Sequence, residues 1–237
     1  MMRRDGFWFD GGSSLEYQVW ITGAQTERTP RRDVTAKVVP GRNGALLLDN
    51  GRWENVEVVY RCAILRDFTL HYGRLMGFLG SRKGYFRLAD TMRQGQYRMA
   101  AFRGAVQPEN TPFNRAGEFE LVFDCDPRRF LSSGDNPVML TAPVALFHPT
   151  DFPAQPVITV RGSGAGVLTV GGKTVEILTL EDEITIDCEQ MDAHRQGESR
   201  NSDIYAPEFP ELLPGRNEIA WDGGISSVEV VPRWWTL

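Results

Sequence analysis

Asp187, taken with Glu183 or Glu189, comes nearest in this sequence to a chemically competent pair. Two carboxyl groups set across a sugar ring, one with a raised pKa, are what glycoside hydrolysis needs. Spacing along a chain fixes neither the separation nor the pKa. The surrounding acids, Glu181, Asp182 and Asp192, read more simply as a solvated turn and strand face, and their spacing is not that of an EF-hand calcium loop. His71, His148 and His194 are isolated, with no HxxxH or HExxH pair. The run Arg161-Gly162-Ser163-Gly164-Ala165-Gly166 is followed by Val167-Leu168-Thr169-Val170, a strand. A dinucleotide fingerprint needs a helix there, so the glycines read as a turn between strands. No GxSxG elbow and no P-loop occur. Cys62, Cys125 and Cys188 are far apart and form no CxxC pair, which points to reduced thiols and away from a disulfide framework or a zinc site. The sequence thus offers no catalytic, cofactor or metal constellation, and the reading is a non-enzyme.

What remains is surface. Trp221, Trp234 and Trp235 are candidates for stacking on a glycan, although a tryptophan at a strand end more often packs a core. Arg28, Arg31 and Arg32 lie beside Pro30; such close positive charges repel unless an acidic surface meets them. The 237-residue chain carries a formal net charge of -5 without a long block of either sign. Tight duplex-DNA binding needs clustered Lys and Arg and is disfavoured. The start Met1-Met2-Arg3-Arg4 mimics a signal n-region, but the apolar run stops at Asp10, so no signal peptide is expected. No apolar stretch is long enough to span a bilayer.

The elements that would carry such surfaces are mainly strands. Val34 to Leu48 reads as a hairpin whose two apolar runs meet at Asn43-Gly44, the commonest two-residue turn, with Pro40 and Gly41 just before it. It is expected to lie at a sheet edge and to kink as it leaves. Residues 26–33 are polar and read as a loop or mobile arm. Strands are expected over 18–22, 56–65, 85–88, 96–106 and 118–124, the last with Phe119, Leu121 and Phe123 facing a core. One helix follows Asp67: Phe68, Tyr72, Leu75, Met76 and Leu79 share a face, with Asp67 as N-cap and Gly80 as terminator. A junction falls near 132–137. Beyond it short strands over 138–147, 157–160, 166–170, 174–180, 184–187, 218–221 and 226–231 suggest an antiparallel sandwich. The division is residues 1–131, a β domain with one helix (about 67–80), and residues 132–237, an all-β domain.

The ordered set Phe7-Trp8-Phe9-Asp10-Gly11, Val39-Pro40-Gly41-Arg42-Asn43-Gly44, Asn50-Gly51-Arg52-Trp53 and the stretch from Gly117 to Pro127, continued by Pro156 to Val160, Ile184 to Asp187 and Phe209 to Asn217, resembles the distal tail (Dit) proteins of non-contractile, long-tailed bacteriophages and related prophages. The resemblance implies a mainly β protein. Its N-terminal β-sandwich-like domain, with one helix and a hairpin, would build a six-fold ring. Its C-terminal antiparallel sandwich would be similar to galectins and carbohydrate-binding modules. The implied function is structural: a virion tail-tip protein made in the host bacterial cytoplasm, joining tail tube to tail hub beside the tape-measure protein, with DNA only passing through the channel. In that reading Arg28, Arg31, Arg32, Pro40, Gly41, Arg42, Asn43 and Gly44 are inter-subunit contacts. The alternative is host attachment through a surface glycan at Trp221, Trp234 or Trp235.

Overall fold

The computed structural model describes residues 5–23, 26–104, 108–110 and 115–237. Residues 1–4 and the end of the strand expected over 96–106 lie outside them. The chain divides into two compact units, Met1–Arg129 with Leu237, and Phe130–Thr236.

The first unit is an antiparallel sheet. Its spatial order is Gly12–Ser13, Phe7–Phe9, Phe86–Asp90, Gln96–Phe102, Gly117–Cys125, Val56–Ile64 and Trp20–Ile21. Period-2 alternation sets its inner face. Phe119, Leu121 and Phe123 are buried, opposite Cys62, Tyr60 and Val58. Phe7 stacks on Tyr60 at 5.4 Å and meets Phe123 edge-on at 5.7 Å, which is the geometry aromatic quadrupoles prefer. The Tyr60 hydroxyl donates to Asp90 Oδ2 at 2.8 Å. Burial, with the Asp90 charge beside it, pushes the phenol pKa well up.

The expected helix spans Phe68–Gly80 and buries Phe68, Leu75 and Leu79. Asp67 is the N-cap residue as expected, but both ends are built differently. Asp67 is left-handed at φ 48 and its side chain makes no capping bond. Gly80 stays helical, while the Ser81 N–H closes the last turn on Gly77 O. Residues 18–22 give only the short strand Trp20–Ile21, because Ser14–Tyr17 forms a 3-10 turn ending at left-handed Gln18.

In the second unit four of the expected short strands merge into two. Val157–Val170 and Gly215–Val231 are two long strands paired along their lengths. One end of the pair is flanked by Val138–Leu140 and by Glu181–Asp187, then Asp192–Arg195. The other end is flanked by Val144–His148 and by Lys173–Ile177. The same two strands therefore pass from one layer of a sandwich to the other, which requires a bend. The glycine run supplies it: register shifts occur at Arg161/Gly162 and Gly162/Gly166. A Cβ on Gly162 would stand 2.0 Å from Gly224 O, and one on Gly224 2.0 Å from Ser163 O. Only glycines let the backbones approach this closely, so the run is a corner inside a strand and not a turn between two. Residues 138–147 are likewise two strands serving opposite ends of Gly215–Val231. Ile158, Val160, Leu168, Val170, Val228 and Val230 are wholly buried between the layers.

Candidate assembly surface

The hairpin is longer than its apolar runs indicated: Arg32–Val38 against Ala45–Trp53. It forms a two-stranded sheet of its own and is not hydrogen-bonded to the main sheet, so it is not an edge of that sheet. The Asn-Gly turn is absent. Val39 O accepts the Arg42 N–H at 3.2 Å with Gly41 at φ 78, a type II turn with Pro40 at its second position. Gly44, not Asn43, takes the other positive φ in the tip. Pro40 presets φ for a type II turn, and Gly41 then provides the left-handed residue the turn needs. Near the base Gly51 at φ 72 accompanies the register shift between Arg32 and Val34, a bulge that raises local twist.

Ion pairs brace this base. Arg32 Nε donates to Asp49 Oδ2 at 2.5 Å and Arg52 Nε to Asp33 Oδ2 at 2.6 Å. The Arg32 guanidinium also lies 5.1 Å from the Trp53 ring centroid. The Asn50 side-chain amide and the Arg52 guanidinium hold the Asp33 carboxyl below its usual range. The Gly51 N–H and Arg32 do the same for Asp49. The positive charge of Arg32 is thus met within its own hairpin.

Register shows what the hairpin presents. Val34, Ala36 and Val38 pair with Asp49, Leu47 and Ala45, and directly opposed residues share a side. That side is apolar except for Asp49 and faces solvent, with Val38 85% and Leu47 67% exposed. The other side alternates Lys37 with Leu46 and Thr35 with Leu48. A lone two-stranded ribbon is marginal in water, and an uncovered apolar face marks an interaction surface. The period-2 alternation of residues 34–38 carried this signal; the turn residues drew attention to the tip instead.

Residues 26–33 are not a free arm. Thr26–Glu27 pairs with Val58–Val59, Pro30 is buried, and Arg31 O accepts the Glu54 N–H at 2.8 Å. Arg28 is exposed and lines a small hollow with Arg93 and Arg98. Arg42 and Asn43 stand exposed at the tip.

In the second unit Trp234 is buried at 6% exposure, its ring 4.3 Å from that of His148, and has no face to offer a sugar. Trp235 stacks on Phe152 at 4.6 Å and donates Nε1–H to Pro153 O. Trp221 is half-buried against the same core. The acids are taken up in ion pairs. Arg233 grips Asp187 through both guanidinium nitrogens at 2.9 Å and also reaches Glu189 at 3.5 Å. Burial alone would raise the Asp187 pKa, but Arg233 and the N–H groups of Gln190 and Glu189 outweigh it and hold the carboxyl below its usual range. An acid so held cannot serve as a proton donor near neutrality. Glu183 instead faces Arg161 at 3.4 Å. No group of His, Cys, Asp or Glu among the described residues is placed to hold a metal, and no helix among them is long and apolar enough to cross a membrane.

No model of a known protein family matches the chain, and no curated protein matches it. Among solved structures, the Dit protein (gp 19.1) of phage SPP1 superposes with a TM-score of 0.71 at 12% identity, over 99% of this chain and 100% of that one. The chain has the fold of a phage Dit protein. A component of the phage P2 baseplate, in its activated conformation with calcium, matches at TM-score 0.53 and 10% identity over 97% of each chain. Within the Dit fold, the motifs that carried the sequence resemblance take distinct places: Phe7-Trp8-Phe9 is a strand whose two phenylalanines enter the first core while Trp8 is exposed, and Asn50-Gly51 lies in the bulge of the hairpin.

Proposed function

We propose that this chain is the ring-forming adaptor of a long-tailed phage or prophage tail tip. Six copies would close around a channel, joining tail tube to hub and letting DNA pass. The SPP1 protein of like fold is described as a paradigm of the hub adsorption apparatus of phages infecting Gram-positive bacteria. The observation that carries the reading is the hairpin Arg32–Val38/Ala45–Trp53, braced at its base and bare along an apolar side. A surface that fits a different patch on the next copy is heterologous, and heterologous contacts close into rings when the rotation permits. The net charge of -5 suits a conduit in which DNA finds no place to dwell.

The test is the solution mass of the full chain by light scattering across concentration, with negative-stain imaging of any large species. A ring-sized assembly is expected for the unaltered chain. Leu47→Asp and Val38→Asp should reduce it to monomer while leaving the circular dichroism and melting temperature unchanged. Assembly indifferent to both substitutions, or a chain that stays monomeric up to its solubility limit, overturns the role given to the hairpin.

A further inference from the structure

The net charge of -5 is divided unevenly between the two units. The first, residues 1–129 with Leu237, holds 20 Lys and Arg against 15 Asp and Glu, a balance of +5. The second, residues 130–236, holds 6 against 16, a balance of -10. All six cations of the second unit, Arg161, Lys173, Arg195, Arg200, Arg216 and Arg233, are ion-paired. Acid is left over and stands in solvent. Asp182, its side chain 86% exposed, shares Arg195 with Glu181. Glu198, its side chain 79% exposed, shares Arg200 with Asp203.

The first unit is the reverse. From Phe68 to Ala89 the chain carries Arg74, Arg82, Lys83 and Arg87 and no acid. Arg66, Arg74 and Lys83 are exposed, and none of the three is ion-paired among the described residues. Arg66 and Lys83 flank the helix Phe68–Gly80 and Arg74 lies midway along it, so these cations mark out a length of about 20 Å. The Arg74 guanidinium lies 5.8 Å from the Tyr17 ring centroid and that of Arg82 3.8 Å from the Phe78 ring centroid. An aromatic face steadies a guanidinium while its N–H groups stay free to meet an anion.

Opposite charge on the two units restricts how copies meet. First unit against first repels, and second against second repels more strongly; first against second attracts. Duplex DNA also suits a basic face, but its phosphates bring one negative charge per about 1.7 Å and nothing to balance it. The acidic second unit of the same chain opposes such a polyanion. A second copy brings basic surface together with its acid.

We propose that copies of this chain dock head to tail, with Arg66, Arg74 and Lys83 of one copy against the acidic surface of the next copy's second unit, at Asp182 and Glu198. Such a contact is heterologous and runs on in one direction, so it gives stacked copies a polarity. It is separate from the hairpin contact and opposite to it in salt dependence, and it is therefore read in the Leu47→Asp chain, whether or not the unaltered chain forms rings. Sedimentation velocity compares that chain at about 10 mM and about 1 M salt, where the Debye length is about 30 Å and about 3 Å. Association is expected at the lower salt and monomer at the higher. Arg66→Glu with Arg74→Glu and Lys83→Glu should weaken it about tenfold or more, and Asp182→Lys with Glu198→Lys should do the same. An equimolar mixture of these two variants should associate again, because each keeps the face the other has lost. Should the triple variant lose its circular dichroism, Arg74→Glu alone replaces it. Monomer at both salts, association unmoved in the folded variants, no recovery on mixing, or tighter binding of a duplex of about 20 base pairs than of a second copy overturns the proposal.

Discussion

Asp187 and the cysteines show how neighbours decide what a titratable residue does. The Asp187 carboxyl is held below its usual range in the folded chain. Its stabilising contribution is therefore complete above its unfolded pKa, near 4, and is lost as pH falls through the lower folded value. Urea unfolding of the unaltered chain should weaken below about pH 4. Asp187→Asn should cost about 2 kcal/mol at neutral pH and flatten that part of the acid dependence; an unchanged urea midpoint would contradict the clamp. Burial pushes the Cys62 and Cys188 thiols up to about 12. Roughly one part in ten thousand is then thiolate at pH 8, so both should resist alkylation until the chain is denatured, as mass spectrometry would read. The acids were visible in the sequence as a cluster. Arg233, which neutralises Asp187, lies 46 positions away, and no local spacing ties the two together.

At the scale of elements, alternation and helical period were legible. Phe119, Leu121 and Phe123 face the core, and the helix runs from Phe68 to Gly80. Turn chemistry was less so: the strong Asn-Gly signal lost to Pro40-Gly41, because one proline fixes φ where the other pair only permits it. The corner of the second unit was read as punctuation, since glycine density looks the same in a turn and in a bend between strands. Gly224→Ala should test the corner directly. Its Cβ would overlap Ser163 O, and a loss of about 3 kcal/mol or more in urea unfolding is expected. Gly77 provides the contrast: it is helical, exposed, and open around the position of a Cβ. Gly77→Ala should raise stability by about 0.5–1 kcal/mol in the same assay.

For the molecule as a whole, charge and apolar surface act against each other. A chain of net charge -5 and pI near 5.3 repels its copies at neutral pH, whereas the contact offered by Val34, Ala36, Val38 and Leu47 is apolar. Screening shortens the repulsion to within about 3 Å at 1 M salt and leaves burial intact. Assembly should therefore strengthen as salt rises and as pH falls toward the pI, which sedimentation velocity would show. Weakening by salt would mean that ion pairs, such as those of Arg28 or Arg42 with a partner, carry the contact instead.

The paired long strands of the second unit also set a timetable for the nascent chain. Among the described strands Val144–His148 pairs with Gly215–Ile219, and Val157–Val170 pairs with Gly215–Val231 along its length. Both must wait on the ribosome for the far strand, on the order of ten seconds at ordinary synthesis rates. Through that interval the apolar Val157–Val170 exposes a bare ladder edge, and such edges seek any strand at hand. Products cut short before Val231 should collect in inclusion bodies, and cooler, slower expression should help only if a chaperone holds that edge until the last strand emerges.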